Sequence, residues 1–80
     1  MKHLPDISLT KIDPAKKMCR FYSLSVQPNL FGGYSLMRCW GRIGTQGQLK
    51  IDMHLTEADA VEASERLNGS KCKRGYQASL

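Results

Sequence analysis

The chain contains no apolar run longer than a few residues, which excludes a membrane-spanning helix of about twenty. Its first residues, Met1-Lys-His-Leu-Pro-Asp6, lack the apolar stretch of a secretory signal, so a cytoplasmic protein is expected. Cysteine is scarce and odd in number. Cys19, Cys39 and Cys72 match no zinc or redox spacing, and free thiols suit a reducing compartment. The two histidines are too scattered to complete a metal site with them. Serines, histidines and aspartates occur, but nothing sets them at a nucleophile elbow or on one visible face. Neither catalysis nor a cofactor or metal is therefore expected.

Acidic residues are few and crowded together. Of the seven, Glu57, Asp59, Glu62 and Glu65 fall within residues 56–68, where Arg66 is the one base. The other 11 bases stand against 3 acids, so a net charge of +5 hides a polarised molecule with a basic body and one acidic element. Such a field attracts polyanions on one side. Eighty residues with 41% hydrophobic content allow one small folded domain.

Periodicity then places the elements. Residues 1–8 are expected to form a leader, with Pro5 blocking regular pairing near its end, and residues 78–80 a short tail. Ile7 to Asp13 holds enough β-formers for a short strand, and Asp13-Pro14 opens a turn. Cys19 to Gln27 alternates cleanly, with Tyr22, Leu24 and Val26 on an apolar face. Leu49 to Leu55 alternates too. It suggests Leu49, Ile51, Met53 and Leu55 inward and Lys50, Asp52 and His54 outward. Thr56 to Asn68 reads as a capped helix with an Ala60, Val61, Ser64, Leu67 stripe, ended by Gly69. A basic tail follows, with a last extended piece around Tyr76. The expected fold is α+β: an antiparallel sheet of about four strands with one helix on one face.

The segment from Tyr34 to Ile43 is the centre of this arrangement. As a strand it sends Tyr34, Leu36, Arg38, Trp40 and Arg42 to one face, and Met37, Cys39 and Ile43 to the other. The second face suits a core. The first flanks the only tryptophan with two guanidinium groups, so water or a partner is expected to meet it. Gly41 marks either a bulge or a place where another molecule comes close. A homodimer through an exposed sheet edge is a further possibility.

Trp40-Gly41-Arg42 within Tyr34-x-x-x-Arg38-x-Trp40-Gly41-Arg42-Ile43-Gly44 resembles the signature of the WGR domain family. Arg20-Phe21-Tyr22-x-Leu24, Gly47-Gln48, the helix near 56–68 and Lys73-Arg74-Gly75-Tyr76 resemble its other elements. The likeness spans residues 9–77 and is nearest to single-domain bacterial WGR proteins. Related domains occur in DNA-damage-dependent poly(ADP-ribose) polymerases, where they bind DNA near strand breaks. The resemblance implies that Trp40 stacks on a terminal sugar and that Arg42 bears on DNA or on an adjoining domain.

The residues taken as candidates for nucleic-acid binding are Arg38, Trp40, Gly41, Arg42, Lys50, Lys71, Lys73 and Arg74. The expected partner is DNA at ends, nicks or single-stranded junctions, with association to the nucleoid. Each residue also has a plainer reading. Trp40 could be a half-buried sheet tryptophan, Arg38 could pair with Asp52 across a hairpin, and the basic tail could be solvated. A protein-interaction module that docks an acidic partner on the same basic, aromatic face is the alternative, since Trp and Arg dominate such interfaces as well.

Overall fold

The computed structural model describes residues 4–78. The alternating segments become strands β1 (Asp6–Asp13), β2 (Met18–Pro28), β3 (Tyr34–Arg42) and β4 (Gln48–His54). Helix α1 (Glu57–Lys73) follows, and a two-residue strand, β5 (Gln77–Ala78), is the last described element. The sheet order is β4-β3-β2-β1-β5, with every neighbouring pair antiparallel. The fold is α+β as expected, with five strands instead of about four. The fifth is the short extended piece beyond Tyr76, which the sequence leaves too brief to count.

Local chemistry explains the reversals. Pro14–Lys16 forms a single 3-10 turn, and Lys17 closes it in the left-handed region at φ 52°, donating its N–H to the Pro14 carbonyl at 3.2 Å. Between β2 and β3, the Asn29 side-chain oxygen accepts from the N–H groups of Phe31 (2.9 Å) and Gly33 (3.0 Å). This Asx-type turn leaves Leu30 and Phe31 exposed at its tip.

The core lies between the sheet and α1. Leu9, Tyr22, Leu24, Val26 and Leu36 bury against Ala60 of the helix, and Ser64 is fully buried beside them. Small residues at 60 and 64 let the helix axis approach the sheet closely. Thr56 caps the helix as the sequence suggests, its hydroxyl accepting from the Asp59 N–H at 3.1 Å.

Two expectations are corrected here. The first concerns the faces of β3 and β4. Register sets Tyr22 opposite Trp40, Leu24 opposite Arg38 and Val26 opposite Leu36, so these side chains share one face. Because Tyr22, Leu24 and Val26 meet the helix, so do Leu36 and its neighbours. Leu36 is buried, whereas Met37 and Cys39 point to the uncovered face. The same register carries to β4, where Asp52 faces Leu36 and Lys50 faces Arg38. Leu49, Ile51 and Met53 therefore lie on the open face, 57%, 50% and 59% exposed, and Leu55 is exposed beyond the strand. The physical cause is the narrowness of one helix. It covers the middle of the sheet and cannot bury an edge strand, so apolar alternation in β4 says nothing about which phase points inward.

The second correction is the helix end. Helix α1 does not stop at Gly69; it runs through to Lys73. Tyr76 N–H bonds the Lys71 carbonyl and Gly75 N–H the Cys72 carbonyl, both at 3.1 Å, with Gly75 at φ +99°. That pattern is a Schellman cap with Gly75 as its left-handed residue. Gly69 is an interior helical position with open space where a Cβ would go. Gly69→Ala is expected to stabilise the protein by about 0.5–1 kcal/mol in urea denaturation. A loss of stability would mean that the helix ends at Gly69 after all.

Candidate nucleic-acid interface

The helix-side face of the sheet is a ladder of cross-strand rows. Toward one end it runs out from beneath α1 and becomes basic. The outermost row sets Lys11 opposite Arg20 and Arg20 opposite Arg42. The next carries Leu9, Tyr22, Trp40 and Gln48, and the one after it Ile7, Leu24, Arg38 and Lys50. Trp40 thus stands between two rows of bases. Like charges directly opposite one another in a sheet are destabilising, so these rows suit an external anion.

Trp40 is half-buried. Its indole stacks on Tyr22, with ring centroids 6.0 Å apart and planes 22° from parallel, and its remainder is open to solvent. The plainer reading of this residue, a half-buried sheet tryptophan, and the functional one are both compatible with that placement. Tyr76, set by the Schellman cap, packs edge-on against Tyr22 with centroids 6.3 Å apart. Lys71 lies over both rings, its Nζ 4.5 Å from the centre of Tyr22 and 5.7 Å from that of Tyr76. Lys11 Nζ also lies over the Tyr76 ring, 5.9 Å from its centre. Burial among these rings, then the charges of Arg74 and Arg38, hold the Lys71 ammonium below its ordinary pKa of 10.5. A nearby anion would offset the repulsion from both arginines.

Arg38 takes the pairing foreseen for it. Its Nε lies 2.9 Å from Asp52 Oδ2, both side chains being mostly buried. The N–H is not aimed along that line, so the contact is Coulombic and not a directed hydrogen bond. Asp52 explains how a guanidinium can sit beside Leu24 and Leu36 without an uncompensated charge.

Gly41 has a different reason for being glycine. The β2–β3 register passes through Phe21 opposite Gly41 without interruption, so no bulge exists and Arg42 stays in phase with Trp40. On the open face the 44–48 turn folds back over the strand. A Cβ on Gly41 would come within 2.7 Å of Gly47 Cα, and one on Gly47 would strike the Trp40 carbonyl oxygen and the Phe21 ring. What approaches Gly41 closely is this chain's own turn.

The remaining candidates divide. Arg42 is exposed and lines an open cleft of about 310 Å³ with Lys16, Lys17, Met18, Cys19 and Arg20. Lys50 is exposed beside Arg38. Arg74 caps α1 near Lys71, and Lys73 is exposed in the last helical turn. His54 shares the face but lies opposite Tyr34, three rows from Trp40. Lys11, Arg20 and Tyr76 were missed by sequence reasoning. Lys11 and Arg20 were within reach, since they keep the phase of Leu9 and Tyr22, whereas Tyr76 depends on where the helix ends.

Among the described residues no three His, Cys, Asp or Glu side chains are placed to hold a metal ion, and no helix is long and apolar enough to cross a membrane. In comparisons with known proteins, the chain is 46% identical over 67 residues to the uncharacterized protein y4dW of Sinorhizobium fredii, covering 84% of this chain and 33% of that protein. It superposes with a TM-score of 0.81 on a crystal structure from Bacteroides fragilis, at 25% identity over 95% of this chain and 20% of that one. The chain thus spans about a third and a fifth of these relatives. The WGR domain model matches residues 6–80. That match covers almost the whole sequence, and the chain belongs to the WGR domain family, a family of small nucleic-acid-binding-type modules.

Proposed function

We propose that the basic, aromatic end of the helix-side face binds DNA, with a preference for ends, nicks or single-stranded junctions. The observation that supports this most is the placement of Trp40 between the Lys11–Arg20–Arg42 row and the Arg38–Lys50 pair. Rows of like charge flanking an open indole suit a sugar–phosphate backbone whose terminal unit stacks on the ring. In this reading Trp40 stacks, and Arg38, Arg42 and Lys50 contact phosphates, joined by Lys11 and Arg20. Lys71, Lys73 and Arg74 extend the positive field at the end of α1. Gly41 acts indirectly, by letting the turn lie close behind the tryptophan. Phosphate contacts position the strand without reading bases, so little sequence preference follows. The module is non-catalytic in this reading.

The test is a titration of labelled blunt, nicked and single-stranded oligonucleotides at several salt concentrations. With four to six phosphates engaged, log affinity is expected to fall against log salt with a slope of about −3 to −5. Absence of binding at low salt would sink the DNA reading and turn the search to an acidic protein partner.

A further inference from the structure

The sheet has one long free edge. β5 is two residues, whereas β4 presents seven, Gln48–His54, with β3 on one side and, among the described residues, no strand on the other. Free edges invite pairing and are ordinarily blunted by proline, a bulge or an outward charge. β4 has no proline and pairs with β3 in unbroken register. Both its charged residues, Lys50 and Asp52, are on the helix side, and its open face carries Leu49, Ile51 and Met53.

The order of these residues favours one occupant. We infer that β4 pairs antiparallel with β4 of a second copy, about a two-fold axis through Ile51. In that register Lys50 falls opposite Asp52 of the second copy and Asp52 opposite its Lys50, while Gln48 meets His54. On the open face Leu49 meets Met53 and Ile51 meets itself. Every position of the seven-residue strand finds a partner, and its midpoint is the symmetry centre. A self-complementary patch of this kind is what a two-fold interface requires. Asp52 can serve both neighbours: Oδ2 faces Arg38 at 2.9 Å, leaving Oδ1 for the incoming lysine. Shifting the register by two places Lys50 opposite Lys50 or Asp52 opposite Asp52, so charge as well as apolar match selects the centred pairing.

The axis runs normal to the sheet, so both helix-side faces lie on the same side of a continuous ten-stranded sheet. Strand spacing and rise put the two Trp40 positions about 25 Å apart there. The pairing itself does not depend on the DNA reading and is tested without nucleic acid.

Sedimentation equilibrium over a wide concentration range measures it. The wild type is expected to approach twice its 9.0 kDa chain mass. Lys50→Asp and Asp52→Lys each set like charges opposite one another twice, and each is expected to weaken the dimer roughly tenfold or more. The double swap, Lys50→Asp with Asp52→Lys, restores opposite charges and is expected to restore the dimer. Far-UV circular dichroism checks that each variant is folded. Ile51→Lys, on the exposed face, places two lysines on the axis and gives a second disruption remote from Arg38. A wild type that stays monomeric at every concentration overturns the inference. So does a folded double swap that fails to recover what the single changes lose.

Discussion

Replacing Trp40 by alanine is expected to lower affinity for ends and nicks by about 5- to 150-fold, the range for losing one base- or sugar-stacking aromatic. The salt slope should hardly change, because the bases that set it remain in place. The two quantities separate stacking from charge. Trp40 also packs on Tyr22, so the change costs stability as well, about 1–2 kcal/mol for a half-buried aromatic. Trp40→Phe keeps a ring on Tyr22 and is expected to recover much of both losses. If folded Trp40→Ala binds blunt, nicked and single-stranded DNA as the wild type does, the indole has no stacking role. The face would then be a basic surface without selectivity for breaks.

Much of this face could be seen in the sequence. The period-two phase of Tyr34 to Arg42 groups Arg38, Trp40 and Arg42, and the structure keeps them grouped. The direction of that face could not be seen. Alternation fixes which side chains go together but not which group is buried, and in β4 the apolar phase lies outside. Only the register to β2, whose Tyr22, Leu24 and Val26 meet the helix, decides the matter.

The result changes what Trp40 is. It belongs to the rim of the core rather than to a separate wet surface, so the fold's own packing on Tyr22 aims it. The basic residues around it are likewise held by structure: Arg38 by Asp52, Lys71 by two tyrosines. Lys71 was legible only as part of a basic tail. Its position needs α1 to continue past Gly69, and the sequence favours a stop there because Asn68-Gly69 is a good helix end. The cost of a glycine inside a helix, about 1 kcal/mol, is offset by what the extra turn secures. That turn brings Lys71 over Tyr22 and lets the Gly75 cap swing Tyr76 onto the same ring.

A substitution behind the tryptophan, on the opposite face, should have the largest effect on the fold. Gly47 adopts φ +70°, which disfavours any side chain, and a Cβ there would strike the Trp40 carbonyl oxygen and come within 2.8 Å of Phe21 Cζ. Backbone cannot yield as a flexible side chain can, so the turn must lift off the strand. Gly47→Ala is therefore expected to cost about 3 kcal/mol or more from strain and overpacking together. For a domain of this size that lowers Tm by on the order of 15 °C. Gly44 provides the comparison: it is also left-handed, at φ +94°, but has open space around its Cβ position. Gly44→Ala should show the conformational cost alone, about 1 kcal/mol. The difference between the two measures the contact of the turn with the strand. Because the Trp40 carbonyl is the atom struck, DNA affinity of any Gly47→Ala protein that remains folded should fall with stability, whereas Gly44→Ala should bind as the wild type does. Equal stability losses at the two positions would show that the turn does not rest on the strand. The glycine of the Trp40-Gly41-Arg42 motif would then need another explanation.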